Sequence, residues 1–340
     1  MKVFLLLVLV LHGLIHLFGF AKGFALAALP QLTQPISRTA GGFWLLAALL
    51  LIAAAILLGW RHNIWWMPAA AGVLLSQALI ISTWSDARFG TIANIILLLP
   101  VLGATLQALP SSYAHRFHSD VQQRLTATLH TPLLTEADMQ HLPPPVQAYL
   151  HFTGVVGKPK VLNFRAEMKG TMRRGANGEW IGIRAFQYNF FDDPARLFFI
   201  ESSLYGIPFD GYHAYIGPSA TMQIKIGGIL QVVDAKGPQM DQGETVTMFN
   251  DMCLFAPATL IAPSIRWESI DPLTVRAFFT NKAQTIAAVL TFDASGTLKD
   301  FISNDRFLSE DGKVYLNYPW STPVHGYMER DGRRIPAAAD

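Results

Sequence analysis

The first 110 residues carry one acidic side chain, Asp86, and five basic ones, Lys2, Lys22, Arg38, Arg61 and Arg88. Between them lie four apolar runs, near Val3–Phe20, Gly42–Gly59, Trp66–Thr83 and Thr91–Leu109. A run of about 20 predominantly apolar residues crosses the hydrocarbon core of a bilayer as a helix. Only helices and closed barrels satisfy the backbone there. The pattern predicts a membrane four-helix bundle over residues 1–110, multi-pass and integral to a membrane, with the lipid bilayer as its first partner.

The rest of the chain is of another kind. The whole sequence holds 26 Lys+Arg and 24 Asp+Glu, so removing those five and one leaves 21 and 23 for residues 111–340. A domain so near neutrality has no basic footprint for nucleic acid. The lone cysteine, Cys253, excludes an internal disulfide and a multi-cysteine metal knuckle and leaves the compartment open. Lys2 and the first apolar run resemble a signal peptide, with Ala25-Leu26-Ala27 as a cleavage site. The run is longer than a usual h-region, contains two histidines and is followed by three more, so a retained helix is expected. Lys2, Arg61 and Arg116 on one side balance Lys22, Arg38 and Arg88 on the other, and the positive-inside rule assigns no orientation.

Within the apolar part, His12, His16, Gly19 and Gly23 follow i, i+4, i+7, i+11 and share one helix face. Gly19 and Gly23 allow close approach of another helix. Two imidazoles on that face have two readings. They could relay protons or bind a metal or haem, or they hydrogen-bond neighbouring helices and fix the bundle, the default for polar groups turned inward in lipid. Two histidines one turn apart are at most half a metal site, which favours the second. Asp86, Arg88 and Asn94 form a further polar cluster around the third connection, with Asp86 expected to cap the fourth helix.

After Pro110 the chain turns polar. Residues 111–158 read as a helical linker, with His115, His118 and His130 on a solvated face. Thr135-Glu136-Ala137-Asp138 has N-cap chemistry, and Pro143-Pro144-Pro145 opens a helix at its first turn that Gly154 closes. Residues 159–340 read as an α+β domain. Strands are expected at Val161–Met172, Trp180–Phe190, Arg196–Leu204, Thr221–Ile226, Ile229–Val233, Thr274–Thr280, Thr285–Phe292, Leu298–Asn304 and Val314–Tyr318. Turns are expected at residues 175–178, 192–194, 227–228 and 293–296. One helix, Glu244–Ile261, interrupts them, with Pro257 bending it. The expected fold is one mostly antiparallel curved sheet, a half-barrel, with that helix as its cover.

The stretches HGLIHLFGFAKGF (12–24), WSDARFGTIAN (84–94) and PVQAYLHFTGVVGKPK (145–160), with the terminal Gly326-Tyr327-Met328-Glu329 and Gly332-Arg333-Arg334-Ile335-Pro336, resemble a bacterial family of uncharacterised membrane proteins. That resemblance implies a β-rich C-terminal domain behind varying anchors, and residence in a bacterial inner membrane. It implies no reaction and no catalytic residues. The strand-rich order is also similar to the half-barrel of periplasmic lipoprotein carriers, an analogy of fold that does not fix function.

No Gly-x-Ser-x-Gly elbow, His-Glu-x-x-His, phosphate loop or dinucleotide fingerprint occurs. Asp210 and His213, Glu244, Asp251 near Cys253, and His325 near Tyr327 are candidate acid–base groups without the mutual spacing that catalysis needs. Asp210-Gly211 reads as a turn and Glu244 as a first-turn acid. Two functions remain in view, and no cofactor is assigned. One is a membrane-tethered binding module whose concave face holds a lipid or other apolar ligand against Phe198, Met248, Met252 and Phe255. The alternative is a redox, proton or metal-handling protein working through His12 and His16.

Overall fold

A computed structural model describes residues 2–125, 131–173, 178–204, 207–309 and 312–339. His130 and most of the 175–178 turn lie outside the described residues. The chain divides into two units. The first is Met1–Ser112 with the short segments Leu204–Pro208 and Gly227–Ile229, and the second is the remainder.

The first unit is helical: α1 (Lys2–Gly23), α2 (Arg38–Gly59), α3 (Trp66–Ser82), the single turn α4 (Trp84–Ala87) and α5 (Gly90–Ala108). Among the described residues, three helices are long and apolar enough to cross a membrane: α1, α2 and one that starts at Gly90. The fourth apolar helix, α3, has 17 residues. Small residues set the packing of α1 on α2. A Cβ on Gly19 would lie 2.3 Å from the Trp44 ring, and one on Gly23 would lie 2.8 Å from the Gly41 backbone. The partner that the two glycines admit is therefore α2. The faces of α1 are inverted relative to a helix in water. His12, Gly13, His16 and Gly19 are buried together with Leu5 and Leu9, while Phe4, Leu7, Leu11, Leu14 and Phe18 are exposed.

The second unit contains α6 (Tyr113–Arg124), α7 (Glu136–Met139), α8 (Pro144–Phe152) and α9 (Pro238–Phe255). The Asp138 carboxylate accepts hydrogen bonds from the Thr135 amide at 2.8 Å and its hydroxyl at 2.7 Å, closing the start of α7. Pro144 and Pro145 occupy the first turn of α8. Gly154, at φ +68°, ends that helix in the left-handed region that glycine enters without a Cβ penalty.

Its strands are β1 (Asn163–Met172), β2 (Ile181–Phe190), β3 (Ala195–Leu204), β4 (Ile207–Ile216), β5 (Ser219–Ile226), β6 (Leu230–Lys236), β7 (Ile265–Asp271), β8 (Thr274–Asn281), β9 (Gln284–Phe292), β10 (Leu298–Ser303), and the short β11 (Phe307–Leu308), β12 (Leu316–Asn317), β13 (Trp320–Ser321), β14 (Tyr327–Arg330) and β15 (Arg333–Pro336). They form two main sheets rather than one curved sheet. The order is β1-β2-β3-β4-β5-β6 in the first and β13-β10-β9-β8-β7 in the second, and neither is closed. The division falls at α9 and the 3₁₀ turn Pro257–Ile261, which separate β6 from β7.

Two further expectations are corrected. Asp210-Gly211 is not a turn. Both residues lie inside β4, opposite Lys225 and Gly211's partner Ile224. Residues 265–271, left out of the expected strands, form β7 against β8. Each has the alternation of a strand, but a turn-like dipeptide in one case and a Trp-Glu-Ser-Ile-Asp mixture in the other hides it.

Helices cover both faces of the six-stranded sheet. On one face Tyr113, Phe117 and Val121 of α6, spaced i, i+4, i+8, pack with Phe190, Leu197, Phe199, Tyr212 and Ala214. On the other lies α9, which also carries the larger core against the five-stranded sheet. There Phe249 stacks on Phe279 at 5.3 Å, and the Tyr149 hydroxyl of α8 donates to the Cys253 carbonyl at 2.8 Å. The expected helix over 244–261 starts earlier, at Pro238, and Pro257 restarts the chain as the 3₁₀ turn.

Candidate functional site

The helical unit is held at its centre by uncharged polar groups. His12 Nε2 donates to Asn94 Oδ1 at 2.9 Å and lies 3.1 Å from Ser76 Oγ. Asn94 Nδ2 donates to Ser76 Oγ and to Gln77 Oε1, each at 3.0 Å, and Gln77 Nε2 donates to Thr91 Oγ1 at 3.2 Å. One network thus ties α1, α3 and α5 together. A buried amide left unpaired costs more than the bond itself contributes, so this network specifies which helix faces meet.

His16 extends the network one turn along α1. Its Nδ1 lies 2.8 Å from the His12 carbonyl oxygen. A carbonyl only accepts, so Nδ1 carries the proton, and in the neutral ring Nε2 keeps a lone pair. That Nε2 is buried and has no hydrogen-bond partner, and the same is true of Trp44 Nε1. The two rings are 4.9 Å apart at their centroids.

Both side chains line a cavity of about 310 Å³, together with His12, Ile15, Phe18, Leu32, Ile36, Ile80, Thr83, Phe89, Gly90 and Ala93. The lining is mainly apolar, and the volume falls in the range of small-molecule sites. Asp86 lines it too. It does not cap α5 as expected. Its carboxylate accepts from the Thr33 hydroxyl at 2.7 Å and the Gln34 amide at 2.8 Å, while Gln34 Nε2 donates to Ser85 Oγ at 2.8 Å. The bonds from Gln34 and Thr33 hold the Asp86 carboxyl below its ordinary range. The loop after α1, which supplies Leu32 and Ile36 to the cavity, is thereby fastened to the turn before α5. Arg88 is not in this cluster; its guanidinium stacks over Phe89 at 5.1 Å.

A second polar cluster lies in the β-rich unit, between the six-stranded sheet and α9. Arg196 donates to Asp251 at 2.9 Å and to Glu244 at 3.3 Å. Gln187 and Asn189 donate to the same Asp251 oxygen at 2.7 and 2.9 Å. Arg306 lies 3.6 Å and His213 3.3 Å from Glu244. The His213 contact is electrostatic only, because its Nε2 makes no hydrogen bond. Burial lowers the His213 pKa to about 4, Glu244 opposing this and the two arginines adding to it. For Glu244, burial raises the pKa, but His213, Arg196 and Arg306 outweigh it and hold the carboxyl below its usual value. Glu244 is not a first-turn acid, since α9 begins six residues before it.

The four side chains expected to hold a ligand separate. Met248 and Met252 are packed in the main core of the β-rich unit. Phe255 is exposed at the end of α9, against Phe164 at 5.6 Å. Phe198 lies over the Arg196 guanidinium at 5.1 Å. Cys253 is buried and unpaired, and burial pushes its thiol pKa well up. Among the described residues no three His, Cys, Asp or Glu side chains are grouped to hold a metal ion.

Apolar helices around a partly enclosed, polar-ended cavity, followed by an open two-sheet β-rich unit, define the class of protein. The chain belongs to a family of unknown function, DUF6544, which matches residues 132–340. No curated protein and no solved structure matches it. The family match begins after the helices that line the cavity.

Proposed function

We propose that this chain is a multi-pass membrane protein that crosses the bilayer four times, through α1, α2, α3 and α5, and binds an amphiphilic ligand in the cavity beside His12, His16 and Trp44. The inverted faces of α1 support the membrane placement: apolar side chains point outward and imidazoles inward. At 17 residues α3 spans about 26 Å, within the range of spanning helices. The observation that carries the binding reading is the pair of buried, unpartnered nitrogens, His16 Nε2 and Trp44 Nε1, on side chains lining a mainly apolar cavity. Buried polar groups are ordinarily satisfied, and a bound molecule would satisfy these.

The test is organic extraction and mass spectrometry of the full-length protein purified in mild detergent. The expected result is one class of amphiphile in near-equal amount to protein, depleted in Ala93→Phe, which fills the cavity, with bulk lipid unchanged. Identical extracts from the two proteins, both folded, would remove the proposal's support.

A further inference from the structure

Resting on that reading, we infer that the cavity recognises an uncharged hydroxyl head group, the head of a long-chain alcohol or phenol rather than of an acid or an ether. The argument is one of matching donors to acceptors. The His12 carbonyl takes the His16 Nδ1 proton, so Nε2 of the neutral ring offers a lone pair and needs a donor. The Trp44 indole N–H can only donate, so it needs an acceptor. A hydroxyl is both, supplying a proton to His16 and a lone pair to Trp44. An ether answers only Trp44 and leaves the imidazole lone pair unsatisfied. A carboxylate has no proton to give and sets its charge against that lone pair in a mainly apolar surrounding, where an unpaired charge is costly.

The positions of the two groups are fixed by packing, not by chance. Trp44 is wedged on Gly19, where any Cβ would overlap its ring. His16 is held by its own helix backbone. His12, the other imidazole at the cavity, spends its Nε2 proton on Asn94. His16 and Trp44 therefore carry the hydrogen-bonding capacity that the network leaves over, and such capacity discriminates strongly between a ligand that matches it and one that lacks a partner atom.

The probes are dodecanol, dodecyl methyl ether and dodecanoate, each titrated into the full-length protein in lipid nanodiscs at neutral pH, with Ala93→Phe as the filled-cavity control. Dodecanol should bind at least about tenfold more tightly than either other probe, the discrimination expected for one buried hydrogen bond. In His16→Leu the preference over the ether should collapse while ether affinity stays within about threefold; in Trp44→Phe alcohol and ether should both weaken and the preference for the alcohol should persist. The comparison of the three probes on the unaltered protein stands even where a variant fails to fold. Equal binding of alcohol and ether, both abolished by Ala93→Phe, would overturn hydroxyl recognition and leave the cavity reading intact. Tightest binding of dodecanoate would overturn it by showing that His16 meets the ligand as a cation. Binding of all probes unchanged by Ala93→Phe would overturn the cavity reading itself.

Discussion

The two units solve the problem of buried polarity in opposite ways. The helical unit buries neutral groups, His12, Ser76 and Asn94, and connects them by hydrogen bonds. The β-rich unit buries full charges, Arg196, Glu244 and Asp251, and pairs them. Neutral dipoles can be left partly unsatisfied at a cavity for a cost of about 1–3 kcal/mol each. An unpaired charge costs far more. The neutral network leaves His16 Nε2 and Trp44 Nε1 on side chains that line a cavity, while the ionic cluster pairs its charges and leaves His213 Nε2 and Arg306 Nε without a hydrogen bond inside the packed unit.

Breaking the ionic cluster should have the largest effect. Arg196→Met leaves Asp251 and Glu244 buried without their main counter-charge, and the β-rich unit should lose about 3–5 kcal/mol. The triple variant Arg196→Met, Asp251→Leu, Glu244→Gln should recover much of this, because an apolar replacement of similar volume is often neutral. Denaturant unfolding followed by the signals of the β-rich unit measures both. Equal losses in the single and triple variants would show that packing, not charge, is what Arg196 contributes.

The same cluster makes the β-rich unit sensitive to acid. His213 titrates near 4 when folded and near 6.5 when unfolded. Between these values the unfolded chain binds the extra proton, so stability is complete above about pH 6.5 and falls as pH falls toward 4. The loss from this residue is about 3 kcal/mol. Glu244, with its folded pKa also lowered, adds a loss of the same sign below its ordinary value. His213→Gln should flatten the pH dependence of unfolding between 4 and 6.5; a slope unchanged by the substitution would remove His213 as its cause.

These clusters differ in how far the sequence reveals them. The His12–His16 face follows from spacing alone, because a helix repeat converts i, i+4 into adjacency. Asn94 stands out as a polar residue in an apolar run. Trp44 does not, since an indole in such a run reads as packing, and only its proximity to His16 gives its N–H a role. Arg196, Glu244 and Asp251 are invisible as a group because they lie 48 and 55 positions apart. Their signal is local and faint: a charge within Ala-Arg-Leu-Phe-Phe, and two acids i, i+7 on one helix. Most of the longer strands are legible from alternation, β4 and β7 being hidden by their composition, but the division into two sheets depends on pairings that no local pattern contains.

Asn94→Leu tests the neutral network. It removes the acceptor for His12 and the donors to Ser76 and Gln77 together. Interhelical hydrogen bonds in membranes contribute about 0.6–2 kcal/mol, so a loss of about 2 kcal/mol is expected, smaller than for Arg196→Met. Unfolding of the full-length protein from mixed micelles by added denaturing detergent reads it. A loss as large as that of Arg196→Met would dissolve the distinction between the two clusters.

The smallest effect on stability should come from Asp86→Asn, and it sharpens the comparison most. Asp86 is half-buried, and its carboxylate accepts the Thr33 hydroxyl and the Gln34 amide of one loop, so global unfolding should change little. What should change is local. An asparagine presents one carbonyl oxygen where the carboxylate presents two charged ones, and hydrogen bonds to a charged acceptor are roughly twice as strong. The loop that brings Leu32 and Ile36 over the cavity should open more often. Hydrogen exchange at the Gln34 amide should therefore quicken several-fold, while amides inside α1 keep their protection. The unaltered protein should lose that protection only as acid protonates Asp86, whose pKa lies below its ordinary value of 3.8, well below the range in which His213 begins to act. If Gln34 exchanges no faster in Asp86→Asn, the loop is held by Leu32 and Ile36 packing, and access to the cavity is controlled by apolar contact rather than by this carboxylate.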